Sequence, residues 1–169
     1  MHIFILEFGE DDPAKCTGRK MARLGFARFV DRPVGVVLNP LSDRVLSVKD
    51  REIYLNRGIT VLDSSWNRSD DSFFRKYSKN GRRLPLLFAG NPVNYSKPMK
   101  LSSLEAVVAS LYIMDDVDEA LKLASIVKWG KTFLDLNREL LEAYRGKSEE
   151  EIVQVESSFI KDVVGEPRQ

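Results

Sequence analysis

Residues 82–106 read RRLPLLFAGNPVNYSKPMKLSSLEA, and this segment separates two kinds of pattern. It begins as an apolar run, Leu84–Ala89, that suits a strand, and Gly90-Asn91-Pro92 ends it. It closes at Ser102 or Ser103, either able to cap a helix, with Glu105 placed for a capping box. Before it, short apolar runs alternate with helix signals. After it, only helical spacing follows.

Four more strand-like runs precede the segment: His2–Phe8, Phe26–Val30, Gly35–Leu38 and Thr60–Leu62. They are rich in Val, Ile, Leu and Phe and mostly do not alternate, as suits strands buried on both faces of a sheet. Between them, Thr17–Leu24 predicts a short helix ended by Gly25. Ser47 caps a predicted helix over Val48–Arg57 with Gly58 at its stop, and Ser72–Lys79 precedes Asn80-Gly81. Strands alternating with helices give the expected class: α/β, a mostly parallel sheet with helices, then an all-helical C-terminal part. The expected division is a sheet domain over residues 1–90 and a helical domain over 91–169. In the helical domain, the first helix runs to about Met114. The next opens at Asp116 or Asp118, with Leu121, Ala124 and Lys128 at helical spacing. Phe133, Leu136, Leu140 and Tyr144 form a single stripe. Ser148 and three glutamates start a last helix with apolar face Ile152, Val155, Phe159 and Val163.

Composition removes several chemistries. Of 169 residues, 43% are apolar, enough for a real core. No run approaches the roughly 20 apolar residues that span a bilayer, so no membrane is expected. MHIFILEFGE lacks a basic leader and reads as a first strand. One histidine, His2, and one cysteine, Cys16, cannot build a zinc cluster, and a reducing cytoplasm fits the cysteine count. There is no G-x-x-x-x-G-K-[ST] loop and no G-x-G-x-x-G fingerprint. Charge is unevenly spread: residues 1–100 hold 18 Lys+Arg against 11 Asp+Glu, and residues 101–169 hold 8 against 14. A basic half suggests a polyanion partner; ordinary solvated charge is the bland reading.

Three segments could carry chemistry. In DDPAKCTGRK, residues 11–20, Cys-Thr-Gly before a helix offers backbone N–H groups to a carboxylate or phosphate, and a plain strand-to-helix turn fits as well. In VLDSSWNR, residues 61–68, Asp63 ends a strand where α/β sheets bind ligands, beside Trp66; a capping Asp and a core Trp are the alternative. In residues 84–96 an apolar run and an irregular loop could sandwich a flat heteroaromatic ring while main-chain groups read its edge.

The strings D-S-S-W and R-x-L-P-x-L-x-A-x-N-P-V-N-Y-x-x-P-x-K-L-S-x-x-E-A, with the earlier K-C-T-G-R-K, resemble the small-subunit rRNA aminocarboxypropyltransferases of archaea and eukaryotes. The likeness covers nearly the whole chain in order. Ser64 stands for an expected cysteine, Gly90 for a usual alanine and Ser96 for a common glycine, each a small-for-small change.

The resemblance implies a SPOUT-like fold with a C-terminal trefoil knot. It implies S-adenosylmethionine (SAM) as donor, no metal, and transfer of the 3-amino-3-carboxypropyl group to N3 of a modified pseudouridine. Small-subunit rRNA or a pre-ribosomal particle would be the partner of a monomeric protein. Leu84, Leu86, Asn91, Tyr95, Met99 and Ser103 should enclose the adenosine and Leu62 line the same pocket, so that residues 91–169 complete the SAM site. The backbone near Thr17 should hold the carboxylate, and Trp66 should wall the methionine arm. Asp63 is the expected base or polar anchor. Lys15, Arg19, Lys20, Arg28, Arg82 and Arg83 are candidate phosphate contacts. A SPOUT-type rRNA N-methyltransferase and a non-catalytic assembly factor are the alternatives.

Overall fold

The structure, a computed structural model, describes residues 2–8, 17–64 and 72–164. Its frame is a parallel sheet of β1 (Ile3–Phe8), β2 (Ala27–Val30), β3 (Val36–Leu38) and β4 (Ile59–Ser64) in the order β2-β1-β4-β3. Register sets Ile3 beside Ile59 and Ile5 beside Val61, and β3 continues the row with Val36 and Leu38. These residues form one face and join the main core. Leu6, Val37 and Leu62 point to the other face and make a smaller cluster with Val30, Phe74 and Tyr77 packed against it. Burial on both faces thus accounts for the continuous apolar runs of β3 and β4. β2 departs from that expectation, because it is an edge strand with only Ala27 buried.

Helices fill the crossovers. α1 (Thr17–Arg23) links β1 to β2. The expected helix over Val48–Arg57 is a 3-10 turn, Val48–Asp50, followed by α2 (Arg51–Arg57). Ser47 and Asp50 form a capping box at its start. Gly58 ends α2 at φ 90 and lies so close to β1 that a Cβ there would meet the His2 carbonyl oxygen at 2.5 Å. α3 (Ser72–Lys76) is shorter than its signals suggest.

The run Leu84–Ala89 is not a strand. Residue 82 pairs with β3 at the outer side of the sheet, where Arg82 N donates to Val37 O and Asn39 N to Arg82 O, and Arg83 bridges to Val45 beyond it. Pro85 has no N–H, so the ladder cannot continue. Side chains from later helices take over as partners. Leu86 N donates to Glu156, the Tyr144 hydroxyl donates to Leu86 O, and Asn137 both accepts from Phe88 N and donates to Phe88 O, each at 2.7 Å. Burial pushes the Tyr144 hydroxyl pKa well up, which keeps it a donor.

The later helices are α4 (Ser103–Ile113), α5 (Val117–Ala124), α6 (Gly130–Leu136), α7 (Arg138–Tyr144) and α8 (Glu149–Val164). α4 starts where expected, with the reciprocal Ser102–Glu105 box, and is buried on nearly every side. α5 buries Ala120, Leu123 and Ala124; of the residues at the expected spacing, Leu121 is exposed and Lys128 lies beyond the helix end. The predicted stripe from Phe133 to Tyr144 is split between α6 and α7. Asn137 turns its amide inward at the break, and Leu136 is left exposed. In α8, Ile152 is buried and Val155 and Phe159 pack against the core. The main core draws side chains from both halves of the chain. Among the described residues, no helix is long and apolar enough to cross a membrane.

Candidate active site

Parallel strands present their C-terminal ends on one edge, and β1 and β4 place Glu7 and Asp63 there as register neighbours. Being the β1-to-β2 crossover, α1 starts at the same edge, as the 2.8 Å ion pair between Arg19 and Glu7 shows. Thr17 Oγ1 accepts from Leu104 N at 3.0 Å, which docks the N-terminus of α4 onto the start of α1. Thr17 and Ser103 are thereby brought together, and α4 packs on β4.

Glu105 then ties the central loop to this point. It is fully buried, and its Oε2 accepts from Gly90 N at 2.6 Å and Asn91 N at 3.1 Å. Its Oε1 accepts from Asn91 Nδ2 at 2.7 Å and Ser102 N at 2.8 Å. Residues 87–99 fold back as a narrow loop, with Met99 N on Leu87 O, Ala89 N on Lys97 O and Ser96 N on Ala89 O. Leu86 is half-buried, whereas Val93, Tyr95 and Met99 leave large apolar surfaces open. Exposed apolar side chains on a loop tied to a helix N-terminus offer a flat ring a surface to pack against.

Other expected residues sit differently. Leu84 is core. Leu62 packs with Leu6 and Val37 on the face opposite Asp63. The Asn91 side chain is taken up by Glu105, Lys100 O and Asn94 N, so it builds the loop rather than reaching for a ligand. Arg82 and Arg83, expected on phosphates, are each held by a carboxylate of this chain. Arg82 Nε lies 3.1 Å from buried Asp50, and Arg83 grips Glu156 through both terminal nitrogens. Arg19 and Lys20 lie on α1, and Arg28 lies on β2. Lys15 and Trp66 lie outside the described residues.

Sequence reading missed Glu7, Asn137 and Glu156, and saw in Glu105 only a helix cap. A glutamate one register position from Asp63 was the signal that could have found Glu7. The substitutions also differ in kind. At Gly90 a Cβ would come within 2.6 Å of the Phe133 Cα, so alanine there requires α6 to move. Ser96 holds φ 63, a conformation glycine adopts without strain. Ser96→Gly is therefore expected to raise stability, by up to about 1 kcal/mol. An unchanged or lower urea midpoint would count against strain at this turn.

Residues 36–160 match a family model described as ribosome biogenesis protein, C-terminal. Residues 1–35 match one described as a possible Fer4-like domain in RNase L inhibitor. An iron–sulfur cluster takes about four cysteines. This chain has Cys16 alone, and among the described residues no group of three or more His, Cys, Asp or Glu is placed to hold a metal. The donor set does not fit a cluster. A Sulfurisphaera tokodaii protein named 16S rRNA aminocarboxypropyltransferase is 52% identical over 99% of this chain and 100% of its own length. A Methanocaldococcus jannaschii protein of the same name is 42% identical over 94% of this chain and 96% of its own. Among solved structures, that of the SAM-dependent rRNA:acp-transferase Tsr3 from Vulcanisaeta distributa aligns with TM-score 0.82 at 38% identity, over 94% of this chain and 88% of that one. With likeness this high along nearly its whole length, and a parallel sheet whose ligand edge meets the α4 N-terminus, the chain belongs to the 16S rRNA aminocarboxypropyltransferase family.

Proposed function

We propose that the protein transfers the 3-amino-3-carboxypropyl group of SAM to N3 of a pseudouridine, N1-methylated or not, in small-subunit rRNA, releasing 5′-methylthioadenosine. The observation that carries this is the 52% identity over 99% of the chain to a relative of that name. The sulfonium of SAM has three carbon substituents, so the outcome depends on which carbon the protein presents to the acceptor. Positioning dominates such an in-line displacement. In this reading Leu86, Tyr95, Met99 and Ser103 face the adenosine, and the main chain near Thr17 receives the carboxylate. Asp63, at the sheet edge, takes the N3 proton or anchors the base.

The same proposal includes a monomer acting in the cytoplasm on rRNA or a pre-ribosomal particle, and a SPOUT-like C-terminal trefoil knot. The knot rests on the family resemblance of residues 82–106.

Incubating the protein and rRNA with SAM labelled separately at the methyl and carboxyl carbons tests the reaction. Carboxyl label is expected in the RNA and methyl label in methylthioadenosine. Methyl label in RNA would instead favour an N-methyltransferase, and no SAM binding an assembly factor. Asp63→Asn is expected to bind SAM normally yet transfer more slowly in single turnovers. General-base help is typically worth about 10²–10⁴-fold, and an imide acceptor places the loss toward the lower end of that range. The deficit should shrink as pH rises and the acceptor ionises unaided. A variant as fast as the parent at neutral pH removes Asp63 from the chemistry.

A further inference from the structure

Edge strand β2 and helix α1 carry a surface that the transfer chemistry does not use. Over residues 17–32 the chain holds five cations, Arg19, Lys20, Arg23, Arg28 and Arg32, against one carboxylate, Asp31. Arg23, Arg28 and Arg32 are exposed. Two of the cations lie over aromatic rings. The Arg19 guanidinium is 5.9 Å from the Phe29 ring centroid, and that of Arg28 is 5.8 Å from Phe4. Phe29 is 44% exposed although it shares the face of buried Ala27. Arg19 is also held by Glu7, while its Nε is buried without a partner. No further strand of the described sheet pairs with the outer edge of β2.

An exposed phenylalanine on a charged edge is not core filling, since burying it would remove apolar surface from water. Beside the Arg19 guanidinium it has the make-up of a stacking platform for an unpaired base, with phosphates held by the surrounding cations. A duplex does not fit this role, because its bases are already stacked and side chains cannot enter its deep groove. We propose that Phe29, with the Arg19 guanidinium beside it, stacks an unpaired nucleotide of the RNA a few positions from the modified one, with Arg23 and Arg32 on its phosphates. This rests on rRNA being the substrate. The distance is suitable. Phe29 is level with Ile5, and Ile5 with Val61, two residues before Asp63. Strand spacing then puts the platform roughly 12 Å from Asp63, a few nucleotides along a single strand.

Fluorescence anisotropy with a labelled unpaired oligoribonucleotide and with a blunt RNA duplex tests this, with SAM calorimetry as the check on folding. Phe29→Ala should weaken oligoribonucleotide binding at least about tenfold, in the range stacking is worth per base, and leave duplex binding and SAM affinity unchanged. Phe29→Trp should restore it. Arg23→Ala with Arg32→Ala should lower the slope of log affinity against log salt by about 1.4, or about 0.7 per phosphate released. Equal loss for duplex and single strand, or Phe29→Ala binding as tightly as the parent, overturns the platform. If the parent transfers no carboxyl label to rRNA, the catalytic reading falls, while the oligoribonucleotide series still reports on the surface.

Discussion

Glu105→Gln should lower stability by roughly 3–5 kcal/mol and abolish tight SAM binding. If Glu105 served only as the third residue of a capping box, glutamine would be nearly neutral, since that position accepts either. Its surroundings say otherwise. Each carboxylate oxygen receives two N–H donors, from Gly90 and Asn91 on one side and from the Asn91 amide and Ser102 on the other. Glutamine has one acceptor oxygen, so its NH2 must face two donors whichever way it is turned. A buried donor left unpaired costs about 1–3 kcal/mol, and bonds to a charged acceptor stand at the upper end. The released groups belong to the loop carrying Tyr95 and Met99, so binding should fail before the fold does. Urea unfolding at constant m-value and SAM calorimetry would measure both. A midpoint equal to the parent's would return Glu105 to an ordinary cap.

Arg82→Glu carries the second large effect. A phosphate contact would lose RNA affinity on charge reversal at unchanged stability. Here the guanidinium instead neutralises Asp50, whose other oxygen accepts from Ser47 N, and both side chains are mostly buried. Breaking such a pair costs about 3–5 kcal/mol because the remaining charge is stranded, and a second carboxylate beside it adds repulsion. The variant should therefore lose its unfolding midpoint first. Arg82→Met, which strands Asp50 without repulsion, should lose less. Intact stability with weakened RNA binding would reinstate Arg82 as a surface contact.

The features legible in the sequence were those where local chemistry and final position agree. Strand runs, the Ser47 and Ser102 caps and the Gly58 stop all act within a few residues of themselves, and the structure keeps them. Asp63 was legible because a polar residue ending an apolar strand has one natural place in a parallel sheet. Leu84–Ala89 was not, since its composition is a strand's while its partners are side chains dozens of residues later. The partners of Arg82 and Arg83 were hidden for the same reason: Asp50 and Glu156 become their neighbours only through the tertiary fold. Asn137 sits in a stripe whose periodicity reads as a continuous helix, and nothing local announces that its amide turns inward.

That side-chain clasp bears on the order in which the molecule can be made. Leu86 and Phe88 find their N–H acceptors 70 and 49 residues downstream. While the chain is being synthesised, this apolar stretch has no such partners until α6, α7 and α8 have left the ribosome. Loop-closure entropy must be overcome before those contacts form, so they belong to the late, slow stage of folding. In pulse-labelling hydrogen exchange during refolding, the Leu86 and Phe88 amides should gain protection together with Ile152 of α8. The amides of β1 and β4, whose neighbours are strands, should be protected earlier.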